Sequence, residues 1–183
     1  MFSESEKKLV ETVKCEIEEL LEETLAHMDI DVHRYVHLNG IVTGGISASL
    51  FHNEEINDID IYLSDQNAID TFKEWATQEK NLEQVEDINP KYMVQTDIEG
   101  KLITANAVTF KNKIQIITCA TKDSRKYFDF VHCMPYYDIA TKTYYISKKQ
   151  YNCIVNKKLV VNDFASTPSA WRWKKFEERG WTT

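Results

Sequence analysis

The chain has 183 residues, 43% hydrophobic and 11% aromatic, with a formal charge of −7 at pH 7. These values fit one folded domain, and they exclude a disordered chain and a protein that coats nucleic acid without specificity. The four cysteines, Cys15, Cys119, Cys133 and Cys153, have no CxxC spacing, which excludes a disulfide framework.

In chain order, residues 5 to 28 read as an amphipathic helix, with Leu9, Val13, Ile17, Leu21 and Leu25 recurring at helical spacing. A shorter helical stretch leads to Leu38. Ile41-Val42-Thr43 enters Gly44-Gly45, and residues 47 to 51 resume a helical pattern, giving strand, glycine turn and helix. Asp58 to Leu63 alternates as a strand, and residues 66 to 79 read as a helix. Asn81 to Glu99 is acidic, contains Pro90 and has no sustained period, and it reads as mostly loop with room for one short strand. Leu102–Phe110 and Ile114–Cys119 suit a hairpin, and Cys133–Ile139 with Thr143–Ser147 suits a second. Helices near 148 to 158 and 169 to 178 close the chain. No apolar run is long enough to span a bilayer, and Met1 to Glu6 lacks signal-peptide character, so a cytoplasmic protein without a membrane is expected.

The chemistry concentrates in Gly44-Gly45-x-Ser47, followed thirteen residues after Gly45 by Asp58-x-Asp60. A glycine pair admits phosphate oxygens close to backbone N–H groups, and Ser47 offers a hydroxyl to the same phosphate. Two aspartates spaced by two on a strand share a face. They repel unless a cation lies between them, and an oxygen-only pair suits Mg2+ or Mn2+.

In this order and spacing, "VTGGISASLF…NDIDIYL" resembles the signature of the polymerase-β-type nucleotidyltransferase superfamily. "NKIQIITC", "YFDFVHCMPYYD" and "WRWKKFEERGW" resemble segments of small nucleotidyltransferase-like proteins of phages and large DNA viruses. The resemblance runs over roughly residues 38 to 180. It implies an α/β fold with a mixed central sheet flanked by helices, and an NTP bound by Gly44, Gly45 and Ser47 through metal on Asp58 and Asp60. If the protein is viral, the location becomes the host cytoplasm. The superfamily often adds a third carboxylate on a later strand. Here that position falls at Asn106 or Gln115, neither charged, and Asp129 is the substitute candidate.

The whole chain is expected to form one nucleotidyltransferase-like domain: an N-terminal helical segment over 1–37, a core over 38–120, and a C-terminal hairpin with helices over 121–183. The expected activity is NMP transfer to an acceptor hydroxyl, with an RNA (tRNA) 3′ end first among acceptors. A catalytically silent nucleotide-binding or protein-interaction module is the alternative, together with a protein AMPylator or a toxin-like tRNA-modifying transferase. A host protein is then the partner. Within Trp171-Arg172-Trp173-Lys174-Lys175, the basic residues, with Lys148 and Lys149, are the cations available to a triphosphate or an RNA backbone. His33, His37 and His52 read as surface residues, and the pair His132-Cys133, read as strand neighbours on opposite faces, offers no zinc site.

Overall fold

The computed structural model describes residues 1–26, 30–76, 107–110 and 113–183. Helix α1 spans Glu4–Leu25, and Ser3 begins it through a reciprocal capping box with Glu6. Val13, Ile17, Leu21 and Leu25, each four residues apart, are the side chains it buries. Helix α2 (Ile30–Asn39) then delivers the chain into strand β1 (Gly40–Thr43). The glycine turn follows, then α3 (Ile46–Phe51), β2 (Ile59–Leu63) and α4 (Gln66–Ala76).

Strands β3 (Ala107–Thr109) and β4 (Ile114–Ile117) form the expected hairpin; the predicted strand residues 102–106 and the loop 81–99 lie outside the described residues. Two 3₁₀ turns, Lys122–Tyr127 and Val131–Cys133, precede the hairpin β5 (Tyr136–Asp138) and β6 (Thr143–Tyr145). The strand expected from Cys133 therefore starts only at Tyr136. His132 and Cys133 sit on a turn, and both are buried. Helices α5 (Lys148–Val155) and α6 (Ala170–Glu177) complete the order.

The strands form one mixed six-stranded sheet in the order β3-β4-β2-β1-β5-β6. Among the strand pairs of this sheet only β2–β4 is parallel; the others are antiparallel. The α/β architecture, a mixed sheet flanked by helices, is the expected one. Alternation assigns the two sheet faces. Val42, Ile61, Ile116 and Tyr137 point into a core shared with α1, α2 and α4. Ile61 and Leu63 are fully buried there, and each such side chain stabilises the fold by about 1.5–3 kcal/mol. A second cluster, including Phe130, Ile154, Phe176 and Trp181, packs α3, α5 and α6 together. Asp60 and Tyr62, which alternate with the buried residues of β2, belong to the other face of the sheet.

Candidate functional site

Strand β2 builds the floor of a cavity of about 290 Å³. Asp58, immediately before the strand, and Asp60 both line it, as the two-residue spacing requires. Asp58 is exposed and Asp60 largely covered. Burial, reinforced by the charge of Asp58, pushes the Asp60 carboxyl up to about 6, against the opposing pull of Lys175 and Arg172.

Gly44 and Gly45 line the same cavity. Gly44 adopts φ +90°, and a Cβ there would stand 2.9 Å from Asp60 Oδ2. Its N–H donates to the Cys133 carbonyl at 3.2 Å, so that donor is already engaged within the protein. A Cβ on Gly45 would meet nothing within 4 Å. Ser47 departs from its expected place: it is 1% exposed and does not line the cavity. Two helical residues rotate a side chain by roughly 200°, so Ser49 rather than Ser47 reaches the cavity wall.

Register explains the expected third carboxylate. Asp60 pairs with Gln115 on β4, and the Gln115 amide donates to Asp58 Oδ1 at 3.2 Å. A neutral donor thus holds the position beside the two acids; Asn106 lies outside the described residues. Asp129 does line the cavity, yet both its oxygens are engaged. Arg172 donates from Nε to Oδ2 at 2.6 Å and from Nη2 to Oδ1 at 3.0 Å, and the Phe130 N–H adds a bond to Oδ1 at 2.9 Å. Burial opposes the charge on Asp129, but Arg172 outweighs it and holds the carboxyl below its usual value.

Helix α6 supplies the cationic wall, with Arg172, Lys175 and, just past its end, Arg179. Arg179 is anchored by Glu54, which also pairs with Lys157 at 2.6 Å, and it donates to Ser49 Oγ at 3.2 Å. Lys175 takes part in none of the ion pairs among the described residues; its ammonium lies 5.5 Å from the Trp171 ring centroid. Tyr62 and Phe128, with ring centroids 5.5 Å apart, give the cavity an aromatic side. Sequence reasoning singled out the 172–175 cations, and Phe128 among the second-half aromatics able to stack on a base, but missed Arg179, Ser49, Glu54 and Tyr62, which share no local motif.

Other candidates lie elsewhere. His52 bonds to the Ile154 carbonyl at 2.8 Å and packs on Trp181. Lys148 pairs with Glu6 and Lys149 with Asp163. His33 and His37 meet edge to face on α2. No set of three or more His, Cys, Asp or Glu that could hold a metal occurs among the described residues. The Asp58–Asp60 pair still fits a hard cation that takes one or two protein carboxylates, because one member is held largely out of water against a like charge. No described helix is long and apolar enough to cross a membrane.

Fold and site together define an α/β protein with a carboxylate-floored, cation-walled pocket. Residues 11–157 match the model of the Gabija anti-defense 2 (Gad2) family, and the chain belongs to that family. The match stops before α6, so Arg172, Lys175 and Arg179 lie beyond it. No curated protein sequence matches the chain. Among solved structures it is similar to the Thermotoga maritima CCA-adding enzyme complexed with tRNA, at 14% identity and a TM-score of 0.42. That similarity covers 77% of this chain and 35% of the enzyme, so the chain spans about a third of that protein's length.

Proposed function

We propose that the pocket binds a nucleoside triphosphate with a divalent metal ion and transfers its NMP to an acceptor hydroxyl. The observation that carries this reading is the facing chemistry of one 290 Å³ cavity: Asp58 and Asp60 on the floor, Arg172 and Lys175 on the wall. Asp58 and Asp60 would hold Mg2+ or Mn2+. Such an ion, when bound, supplies positive charge to the phosphates and the leaving group.

The protein's own contribution is placement. Arg172, fixed by its bidentate pair with Asp129, presents its remaining guanidinium N–H groups to phosphate oxygens, and Lys175 adds a mobile charge. Tyr62 and Phe128 offer ring surface to a base. The acceptor oxygen forms a bond to the α-phosphorus as the bond to the bridging oxygen breaks. Pyrophosphate leaves, and the hydroxyl proton passes to a pocket carboxylate or solvent. In this reading Asp129 is a positioning residue for Arg172, and Gly44 makes room for Asp60. An RNA 3′ end is the first acceptor to test, a host protein side chain the second.

The decisive measurement is thermal stability with each NTP, with and without magnesium, in wild type and Asp58→Ala/Asp60→Ala. Saturation at about a hundred times Kd adds roughly 2.7 kcal/mol to the folded state. Magnesium-dependent stabilisation lost in the double variant supports the reading, and no shift with any NTP overturns it. Label transfer from radioactive NTP to RNA or protein then identifies the acceptor.

Gln115 beside Asp60 favours a second reading, a catalytically silent nucleotide-binding module that counters Gabija defense through a host partner. Turnover that disappears with the two aspartates eliminates it. Nucleotide binding without turnover, combined with retained anti-defense activity, supports it.

A further inference from the structure

Three large aromatic side chains remain exposed on the segments around Asp129 and Arg172: Tyr127 (58%), Phe164 (75%) and Trp171 (62%). They come from three separate segments that hydrogen bonds hold together. The buried Asn162 donates from Nδ2 to the carbonyls of Lys126 and Phe128 at 2.7 and 3.0 Å, and its N–H donates to the Asp129 carbonyl at 2.9 Å. Phe164 N–H reaches back to Asn162 Oδ1 at 3.4 Å. Asp129 in turn grips Arg172, the neighbour of Trp171. Phe128, Asp129, Arg172 and Lys175 line the cavity, so Tyr127 and Trp171 each directly precede a cavity-lining residue, and Phe164 is tied to the same segments through Asn162.

Charge on these segments runs against that of the chain. Residues 122–129 and 162–176 carry six cations, Lys122, Arg125, Lys126, Arg172, Lys174 and Lys175, against Asp123, Asp129 and Asp163, in a protein of net charge −7. Two of the cations lie over the exposed rings. Lys126 Nζ is 5.2 Å from the Tyr127 centroid, and Lys175 Nζ is 5.5 Å from that of Trp171. Flexible ammonium groups beside uncovered rings can swing onto phosphates while bases stack on the rings.

We propose that Tyr127, Phe164 and Trp171 form a stacking surface for a single-stranded polynucleotide that leads into the pocket. Its role in delivering the acceptor rests on the nucleotidyl-transfer reading above; its affinity for a strand does not. The interleaving of lysines with rings, and the link to a pocket walled by Arg172 and Lys175, favour a nucleic-acid strand over a protein as occupant. Stacking on ring faces, which accept the π-face of any base, predicts little discrimination between bases.

The test is fluorescence anisotropy with labelled single-stranded RNA and DNA oligonucleotides on the full chain, in EDTA and without NTP. Wild type binds. Trp171→Ala and Tyr127→Ala each weaken binding by about tenfold, the usual effect of losing one stacked base. Because both side chains are largely exposed, the melting temperature stays unchanged. Asp58→Ala/Asp60→Ala loses metal-dependent NTP binding but retains strand binding and its sensitivity to Trp171→Ala, so failure of the nucleotide site and failure of this surface are read separately. Absence of strand binding at low salt overturns the proposal, as does equal binding of a duplex or affinity indifferent to both aromatic substitutions. Loss of anti-defense activity in Trp171→Ala with unchanged strand affinity assigns the surface to a protein and also overturns it.

Discussion

Gly44 and Asp60 are mutually dependent: the missing side chain of the glycine is the space in which the carboxylate stands, at 2.9 Å from where a Cβ would be. With φ at +90°, an alanine at 44 meets backbone strain as well as a clash. Gly44→Ala is expected to lose about 1–3 kcal/mol of stability and to displace Asp60. Gly45→Ala, with open space and a negative φ, is expected to leave stability within about 1 kcal/mol of wild type. Urea denaturation of the two variants side by side checks this contrast.

Asp60 carries a stability cost whose sign is set by its raised pKa, about 6 against an ordinary value near 3.8. Between those values the folded protein holds more protons than the unfolded chain, so this contribution to stability declines as pH rises through the window. Asp60→Asn is expected to stabilise the metal-free protein at pH 7 by up to about 3 kcal/mol and to flatten the pH dependence between 4 and 6. Thermal melts across that range in EDTA provide the check. The same substitution is expected to abolish metal-dependent nucleotide binding.

The Asp129–Arg172 pair joins residues 43 positions apart, and each side chain is substantially covered. Arg172→Ala leaves a partly buried carboxylate unpaired and is expected to cost about 1–3 kcal/mol; Arg172→Lys, which cannot reproduce the two-pronged bond, recovers little of it. Because Arg172 depresses the Asp129 pKa, the stabilisation is present above the unfolded value near 3.8 and is lost as pH falls through the lower folded value. A double-mutant cycle with Asp129→Asn, run from pH 7 downward, measures the coupling and its decline in acid.

His132 is fully buried, with neither ring nitrogen hydrogen-bonded to the protein. It stacks on Trp181 at 4.0 Å and meets Phe176 edge to face at 4.5 Å. Burial drives its pKa down to about 3, with Arg172 and Arg179 adding to the effect and Asp129 opposing it. As pH falls below about 6.5 the unfolded chain gains a proton that the folded protein refuses, and stability declines toward pH 3. His132→Phe fits the aromatic cage and is expected to add about 1 kcal/mol or more at pH 7 and to reduce the acid sensitivity. Melting curves at pH 7 and pH 4.5 test both statements.

Gln115 occupies the register position beside Asp60. Gln115→Glu is expected to lower metal-free stability at pH 7 by about 1 kcal/mol through like-charge repulsion, and magnesium is expected to restore it. Calorimetric titration with magnesium, with wild type as the reference, reads the gain in affinity directly.

The helical period of Val13, Ile17, Leu21 and Leu25, the alternation of β2, the glycine turn and the shared side of Asp58 and Asp60 were all legible in the sequence, because each depends on local backbone geometry. Local pattern also misled. Ser47 looked like a phosphate ligand, but the helix turns it inward and brings Ser49 to the cavity. The strand expected at Cys133 became a 3₁₀ turn whose carbonyl accepts the Gly44 N–H. Only tertiary structure decided which strand neighbours Asp60, that Arg172 engages Asp129, and that α6 forms the pocket's cationic wall. Those relationships join residues 43 to more than 100 positions apart. They arise from sheet register and helix docking, which depend on how separate apolar faces are buried together rather than on any local run of residues.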